Sequence, residues 1–240
     1  MEALIFQLYG PMASWGGPAV GETRPSSDHP GRAALLGLLA AALGIRREDS
    51  AGHQALSDSV RFAVKQFSPG RLMRDYHTVQ VPGRDKKARY FTRKDELSIP
   101  KDKLNTVLSS REYRQGGMWQ VAVLLEKSSG WTLDELQVAL REPVFTLYLG
   151  RKACPPAVPL APKKVTANGL REAFGHVEPF VCESQQRWLG LSGDLDFYWE
   201  GEAGDIEIQD TRQPNDTLIS RERWQFGSRQ EHHARIREEY

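Results

Sequence analysis

Cysteine is scarce: two stand in 240 residues, Cys154 and Cys182. Two thiols make no disulfide framework, and they are too few and too far apart for a cysteine-based zinc site. Both are expected as reduced thiols of a cytoplasmic protein. Long apolar runs are also missing. The densest, Leu35 to Leu43, is too short to cross a bilayer. No basic stretch followed by an apolar core opens the sequence, so no secretory signal is read and no membrane partner is expected. Excess charge is absent as well. The formal net charge is +1, so a nucleic-acid role must come from local rather than total charge. The sequence lacks a P-loop, a dinucleotide fingerprint, a Ser-His-Asp order and a pair of catalytic carboxylates. His232 and His233 have no metal-ligand partners at useful spacing and read as a surface or subunit contact. No cofactor and no metal are expected.

What is present reads as alternating strands and helices. Residues 3–9 alternate and predict a first strand. A glycine-rich turn follows, Gly10-Pro11-Met12-Ala13-Ser14-Trp15-Gly16, and then a loop carrying Arg24 and Arg32. Residues 33–43 form a dense apolar helix stopped by Gly44. This order presents a helix N-terminus, with its unpaired N–H groups, beside two cations. Arg46-Arg47-Glu48-Asp49-Ser50 starts a second short helix, with Leu56 and Val60 apolar. Residues 61–67 and 118–125 predict buried strands. Thr132 and Glu135 form a capping box for a helix that ends before Pro143. Residues 144–149 predict a further strand running into Gly150-Arg151-Lys152. Residues 160–200 read as poorly regular strands, with Trp188 and the run 196–200 as packing residues. The succession is that of a ferredoxin-like fold, the class that includes the RNA-recognition motif.

Residues 68–117 stand apart. They hold twelve cations, namely Arg71, Arg74, Arg84, Lys86, Lys87, Arg89, Arg93, Lys94, Lys101, Lys103, Arg111 and Arg114, against six acids. Tyr76, Tyr90, Phe91 and Tyr113 lie among them. Cations that follow phosphates and rings that stack on bases suit single-stranded nucleic acid. A solvated charged loop has the same composition. His77, within Asp75-Tyr76-His77-Thr78, fits a general base and equally a neutral histidine making structural hydrogen bonds. Trp15 fits a core anchor and a stacking platform equally.

Several pieces resemble one family in their order: GPMASWG (10–16), ETRP (22–25), GRAALLGLLAAALGI (31–45), QALSDSVRFAV (54–64), RDYHTV (74–79), REY (111–113), YLGRKACP (148–155) and FGSR (226–229). They resemble the CasD family, the small RAMP-type subunits of type I-E CRISPR surveillance complexes (Cascade). Residues 155 to 220 match poorly. The resemblance implies an α+β fold: a ferredoxin-like, RNA-recognition-motif core with a protruding basic β-thumb and an irregular β-rich C-terminal part. Residues 1–150 would form the core, with the thumb inserted at about 78–115. Residues 151–240 would form an extension packed on it.

The resemblance also implies a non-catalytic subunit that caps the 5′ handle of the crRNA. It would touch a CasC-type backbone subunit and a CasA-type large subunit, with target DNA near the PAM reached indirectly. Arg24, Arg32, Arg151 and Lys152 are the phosphate candidates, and Tyr76, His77 and Tyr148 the base or ribose candidates. Arg74, Arg111 and Arg229 complete the expected RNA-binding set. Type I-C relatives cleave repeat RNA themselves, so a metal-independent endoribonuclease using His77 or Tyr76 with Lys152 or an arginine is the alternative. A protein-only scaffold whose basic thumb binds acidic surfaces is a third reading.

Overall fold

The computed structural model describes residues 1–17, 19, 21–85, 88–181, 183–189, 193–220, 223 and 225–237. Cys182, Lys86 and Lys87 lie outside the described residues, as does the side chain of Trp188. In chain order the elements are β1 (Glu2–Tyr9), β2 (Met12–Ala13), β3 (Thr23–Arg24), α1 (Arg32–Leu43), α2 (Ser50–Ser59), β4 (Val60–Ser68), β5 (Arg71–Pro82), α3 (Arg93–Leu97), β6 (Leu104–Gln115), β7 (Met118–Leu125), α4 (Leu133–Arg141), β8 (Lys163–Thr166), α5 (Leu170–Gly175), α6 (Glu183–Trp188), β9 (Asp194–Trp199), β10 (Asp210–Arg212), β11 (Thr217–Ser220), β12 (Gln225–Gly227) and β13 (Glu231–Arg237). The protein is α+β.

Strand β1 is buried at every position from Ala3 to Leu8, which places it inside a sheet covered on both faces. That sheet has seven strands in the order β10-β13-β9-β4-β7-β1-β8, all paired antiparallel. Helices α1 and α2 connect β1 to β4, and α4 connects β7 to β8. On one face, Leu4, Phe6, Leu8, Val121 and Val123 pack against Leu35 and Leu39 of α1 and Leu136 of α4. On the other, Ile5, Ala63, Ala122, Phe197 and Trp199 pack beneath Ala173 and Phe174 of α5. The Thr132–Glu135 capping box closes the start of α4 as the sequence predicts.

Two local expectations change. Residues 144–149 are not a strand. Their backbone serves α1 instead, with the N–H groups of Val144 and Phe145 donating to the carbonyls of Ala42 and Ala41 at 3.0 and 3.1 Å. The last turn of a helix leaves its carbonyls without intrahelical donors, and this segment supplies them. Residues 160–200 contain two helices, not only strands. The Asp205 carboxylate accepts the N–H groups of Arg171 and Glu172 at the start of α5, at 2.9 and 2.8 Å. A cap supplied from more than thirty positions away leaves no local signature.

The second sheet is built around β6, which pairs with β5 along its length and with β2 and β3 near its root. Twelve-residue strands reach about 40 Å at 3.3 Å per residue. Outward of Ser110, β6 pairs with β5 alone among the described residues. At the far end α3 carries its own capping box at Thr92 and Asp95, and Phe91 is 88% exposed.

The last third of the chain is tied to the loop before α1 by a buried charge network. Arg32 Nη1 meets Glu200 Oε2 at 2.5 Å. Arg229 donates to Asp216 at 2.7 Å and to Glu231 at 2.6 Å. His29 lies between Asp28 (2.6 Å) and Glu231 (3.1 Å), its ring stacked 3.7 Å from Tyr198. Burial pulls the His29 pKa down, but hydrogen bonds to the two carboxylates outweigh it and hold the pKa above its ordinary 6.5. The His29 hydrogen bond is the largest influence on Asp28 and lowers its pKa to about 2. Burial raises the Glu231 pKa, but His29 and Arg229 outweigh it and bring the value to about 2.

Linkage fixes the pH dependence. The His29 contribution is complete below pH 6.5 and is lost as pH rises through the elevated folded value. The carboxylate contribution is complete above the ordinary 3.8 and 4.5, and is lost as pH falls toward about 2. Denaturant titrations should therefore give maximal stability between about pH 5 and 6.5. His29→Gln should remove the decline on the alkaline side. An unchanged alkaline limb in that variant would show that another group produces it.

Candidate nucleic-acid interface

Residues directly opposite one another in a β-ladder share a face. Asp75 of β5 stands opposite Arg111 of β6, which stands opposite Arg24 of β3. These three form a single row across the hairpin root. His77 lies on the same face one rung outward, opposite Ser109, with Nε2 2.5 Å from Asp75 Oδ2. Arg74 and Tyr76 occupy the other face. Arg74 Nε donates to Glu112 at 3.0 Å, and Tyr76 is 63% exposed.

Arg151 joins the row from a loop. It donates to the backbone carbonyls of Glu112 (3.2 Å) and Arg24 (3.3 Å), with its guanidinium carbon 4.8 Å above the Tyr113 ring. Gly150 makes that approach possible. Its φ is +83°, and a Cβ there would lie 1.9 Å from the Ser14 carbonyl oxygen. Only glycine lets this loop cross so closely and release Arg151 over β6. Lys152 follows at once and is exposed. Tyr148, earlier in the same loop, is exposed and lines a separate cavity of about 650 Å³ beside Arg46 and Arg47.

Two of the expected RNA-binding residues, the phosphate candidate Arg32 and Arg229, lie elsewhere. Arg32 is buried, with Nη2 donating to the carbonyls of Ser57 (2.6 Å) and Val60 (3.1 Å) and Nη1 held by Glu200. Arg229 is enclosed by Asp216, Glu200 and Glu231. Both guanidiniums are spent on intramolecular partners, because a buried cation needs carboxylates and carbonyls around it. Trp15 proves to be a core residue, edge-on to Trp119 at 5.3 Å. His233 pairs with Asp196 at 2.8 Å and stacks near Tyr198, both contacts within the chain.

Sequence reasoning did not single out Arg114 or His29. Arg114 lies beside the root and donates to the carbonyls of Ser27 and Ser26 at 3.0 and 3.3 Å. The periodicity of β6 places it on the face opposite Arg111, which was the one available signal. His29 gave none, because its partner Glu231 is 202 positions away.

The family model described as CRISPR-associated protein (Cas_Cas5) matches residues 3–231. The CRISPR system Cascade subunit CasD of Escherichia coli (strain K12) is 38% identical over 177 residues, which is 73% of this chain and 77% of that protein. A chain in a solved structure titled CRISPR RNA-guided surveillance complex superimposes with a TM-score of 0.65 at 26% identity, covering 98% of this chain and 89% of that one. A second structure, titled Crystal structure of Cas protein, shares the fold at a TM-score of 0.59 and 21% identity, with 98% and 95% covered. A family match over nearly the whole length, with a CasD relative at this identity, means that the chain belongs to the Cas5 family of CRISPR-associated proteins, on its CasD branch.

Proposed function

We propose that this chain is the CasD-type subunit of a type I-E Cascade complex and that it binds and caps the 5′ handle of the crRNA without cutting it. In this reading it touches a CasC-type backbone subunit and a CasA-type large subunit in antiviral DNA targeting, meets target DNA near the PAM only indirectly, and works in the cytoplasm. The observation that carries the reading is the convergence of Arg24, Arg111 and Arg151 at the root of a basic hairpin. Arg24 and Arg151 are held by backbone carbonyls, and arginines fixed in that way present positive charge to a phosphate chain at little entropic cost. Lys152 and His77 lie beside that row as candidate contacts, and Arg74 and Tyr76 on the opposite face and Tyr148 in its separate cavity are further candidates.

The succession β1-α1-β4-β7-α4-β8, with spatial order β4-β7-β1-β8, supports a ferredoxin-like core of the RNA-recognition-motif kind. We read the β5–β6 hairpin as the thumb, rooted at 71 and 115 and so including the expected 78–115. Residues 1–150 and 151–240 contribute strands to one sheet, and we read the second part as the extension that completes the core. Among the described residues no helix is long and apolar enough to cross a membrane.

The Asp75–His77 contact favours a second reading. A carboxylate orients that imidazole as it would a base for a ribose 2′-hydroxyl, with Arg111 on the same face for the phosphate. One experiment separates the two. Labelled precursor repeat RNA is incubated with the purified chain in EDTA, with and without the backbone and large subunits. Intact RNA that shifts into the larger assembly is the expected result. A single cut by the isolated chain, lost in His77→Ala, would make this protein the processing nuclease.

A further inference from the structure

A second cleft opens on the other side of the loop 24–28. Its main cavity, about 560 Å³, lies at the N-terminus of α1, where the Asp216 carboxylate accepts the Arg32 N–H at 2.7 Å. Trp15, Asp28, Arg114, Arg212, Gln213 and Asn215 line it. Asp28, Arg114 and Arg212 also line an adjoining cavity of about 400 Å³, so those side chains are shared by both walls. Trp15 is 2% exposed, and its indole N–H has no hydrogen-bond partner among the described residues. A buried donor left unpaired costs free energy, and a ligand acceptor in the cavity would recover it.

The charge of the wall selects the chemistry. Arg212 reaches Asp210 at 3.3 Å, and Arg229 is enclosed by carboxylates. Asp28, Asp216 and Glu231 line the same space. A phosphate entering here would meet as many negative groups as positive ones, so the cavity suits an uncharged ligand with a polar edge. Arg114 is held by two backbone carbonyls rather than by an acid. The wall carries an indole N–H, an arginine and a half-exposed carboxylate, Asp28, whose Oδ1 already pairs with His29 at 2.6 Å; such a set matches guanine. Its O6 and N7 accept, while its N1–H and N2–H₂ donate side by side to one carboxylate.

We propose that this cavity is a guanine pocket, with Trp15 and Arg114 donating to the base and Asp28 accepting from it. The assignment of that base to a nucleotide splayed out of the bound RNA rests on the RNA-binding reading above. Arg114 lies three residues from Arg111 along β6 and on the opposite face of the hairpin root, so the base would come from a nucleotide that leaves the row around the edge of the root.

The test is calorimetric titration of the full unaltered chain with GMP, IMP, AMP and inorganic phosphate. GMP should bind, IMP about tenfold more weakly for want of the N2 donors, and AMP and phosphate undetectably. Trp15→Phe, which keeps the ring, and Gln213→Ala at the rim should each weaken GMP several-fold. The nucleotide series needs no variant, so a misfolded mutant cannot obscure the result. Equal binding of all four probes, or none, overturns the pocket. Inosine in place of guanine in the handle RNA separates the sources. A tenfold loss supports the RNA base, and an unchanged affinity overturns that assignment. Selective GMP binding by a chain that shows no salt-dependent RNA binding would support the pocket while rejecting the handle-binding function.

Discussion

Replacing Arg151 and Lys152 together by alanine should cut handle-RNA affinity about 25-fold at 0.1 M salt and flatten the salt dependence by about 1.4 in log–log slope. The estimate follows from counterion release on a single strand, at about 0.7 of a counterion for each phosphate neutralised. Arg151 is the better placed of the two. Its guanidinium is fixed over Tyr113 and across two backbone carbonyls, so it meets a phosphate with little loss of side-chain freedom. Fluorescence anisotropy at several salt concentrations measures both quantities. A melting curve in parallel separates lost RNA contacts from a loosened β3. The pair Arg46→Ala with Arg47→Ala removes equal charge from another part of the surface and should leave the slope nearly unchanged. Equal slopes for wild type and the Arg151/Lys152 variant would remove these residues from the RNA path.

The largest effect on stability should come from Arg32→Ala, at about 3–5 kcal/mol. The guanidinium holds Glu200 at 2.5 Å and two carbonyls, in a place where side-chain exposure is near a tenth on both partners. Burial already keeps the Glu200 pKa above its ordinary value despite Arg32 and Arg229. Removing Arg32 leaves a carboxylate that must either stay charged with less compensation or take up a proton. Chemical denaturation should show the loss, and it should shrink at low pH as Glu200 protonates. Arg32→Met combined with Glu200→Leu should cost much less, because no orphan charge remains. A loss below about 1 kcal/mol in the single variant would contradict the buried pairing and return Arg32 to the list of phosphate ligands.

Strands β1, β4 and β7 were legible because each carries a run of apolar residues that only a covered sheet can bury. Helix α4 announced itself through Thr132 and Glu135, a contact made within one turn. The basic character of the hairpin was equally plain, since net charge over fifty residues needs no tertiary knowledge. The failures share one cause. Arg32 and Arg229 looked like surface cations because their neutralising partners Glu200 and Asp216 come from other elements. Residues 144–149 are as apolar as a strand, but their N–H groups finish a helix more than a hundred positions earlier. The row Asp75–Arg111–Arg24 was half legible. Each residue was a candidate or lay beside one, but their meeting depends on a parallel pairing between β3 and β6 that composition does not encode.

The position of β4 in its sheet has a consequence for how the chain is made. Its outer edge pairs with β9, which in turn pairs with β13. At ordinary elongation rates of about 5–20 residues per second, roughly 7–25 s pass between the emergence of Ser68 and that of Trp199. For that interval a nascent edge strand containing Phe62, Val64 and Phe67 has no neighbour on one side, the condition under which strands recruit other chains. Lys65 lies in the middle of that edge. In the finished protein its ammonium group is covered by the rings of Phe67 and Phe197, 5.1 and 5.7 Å away. On the ribosome, before Phe197 exists, the same charge acts as a gatekeeper against premature edge-to-edge association.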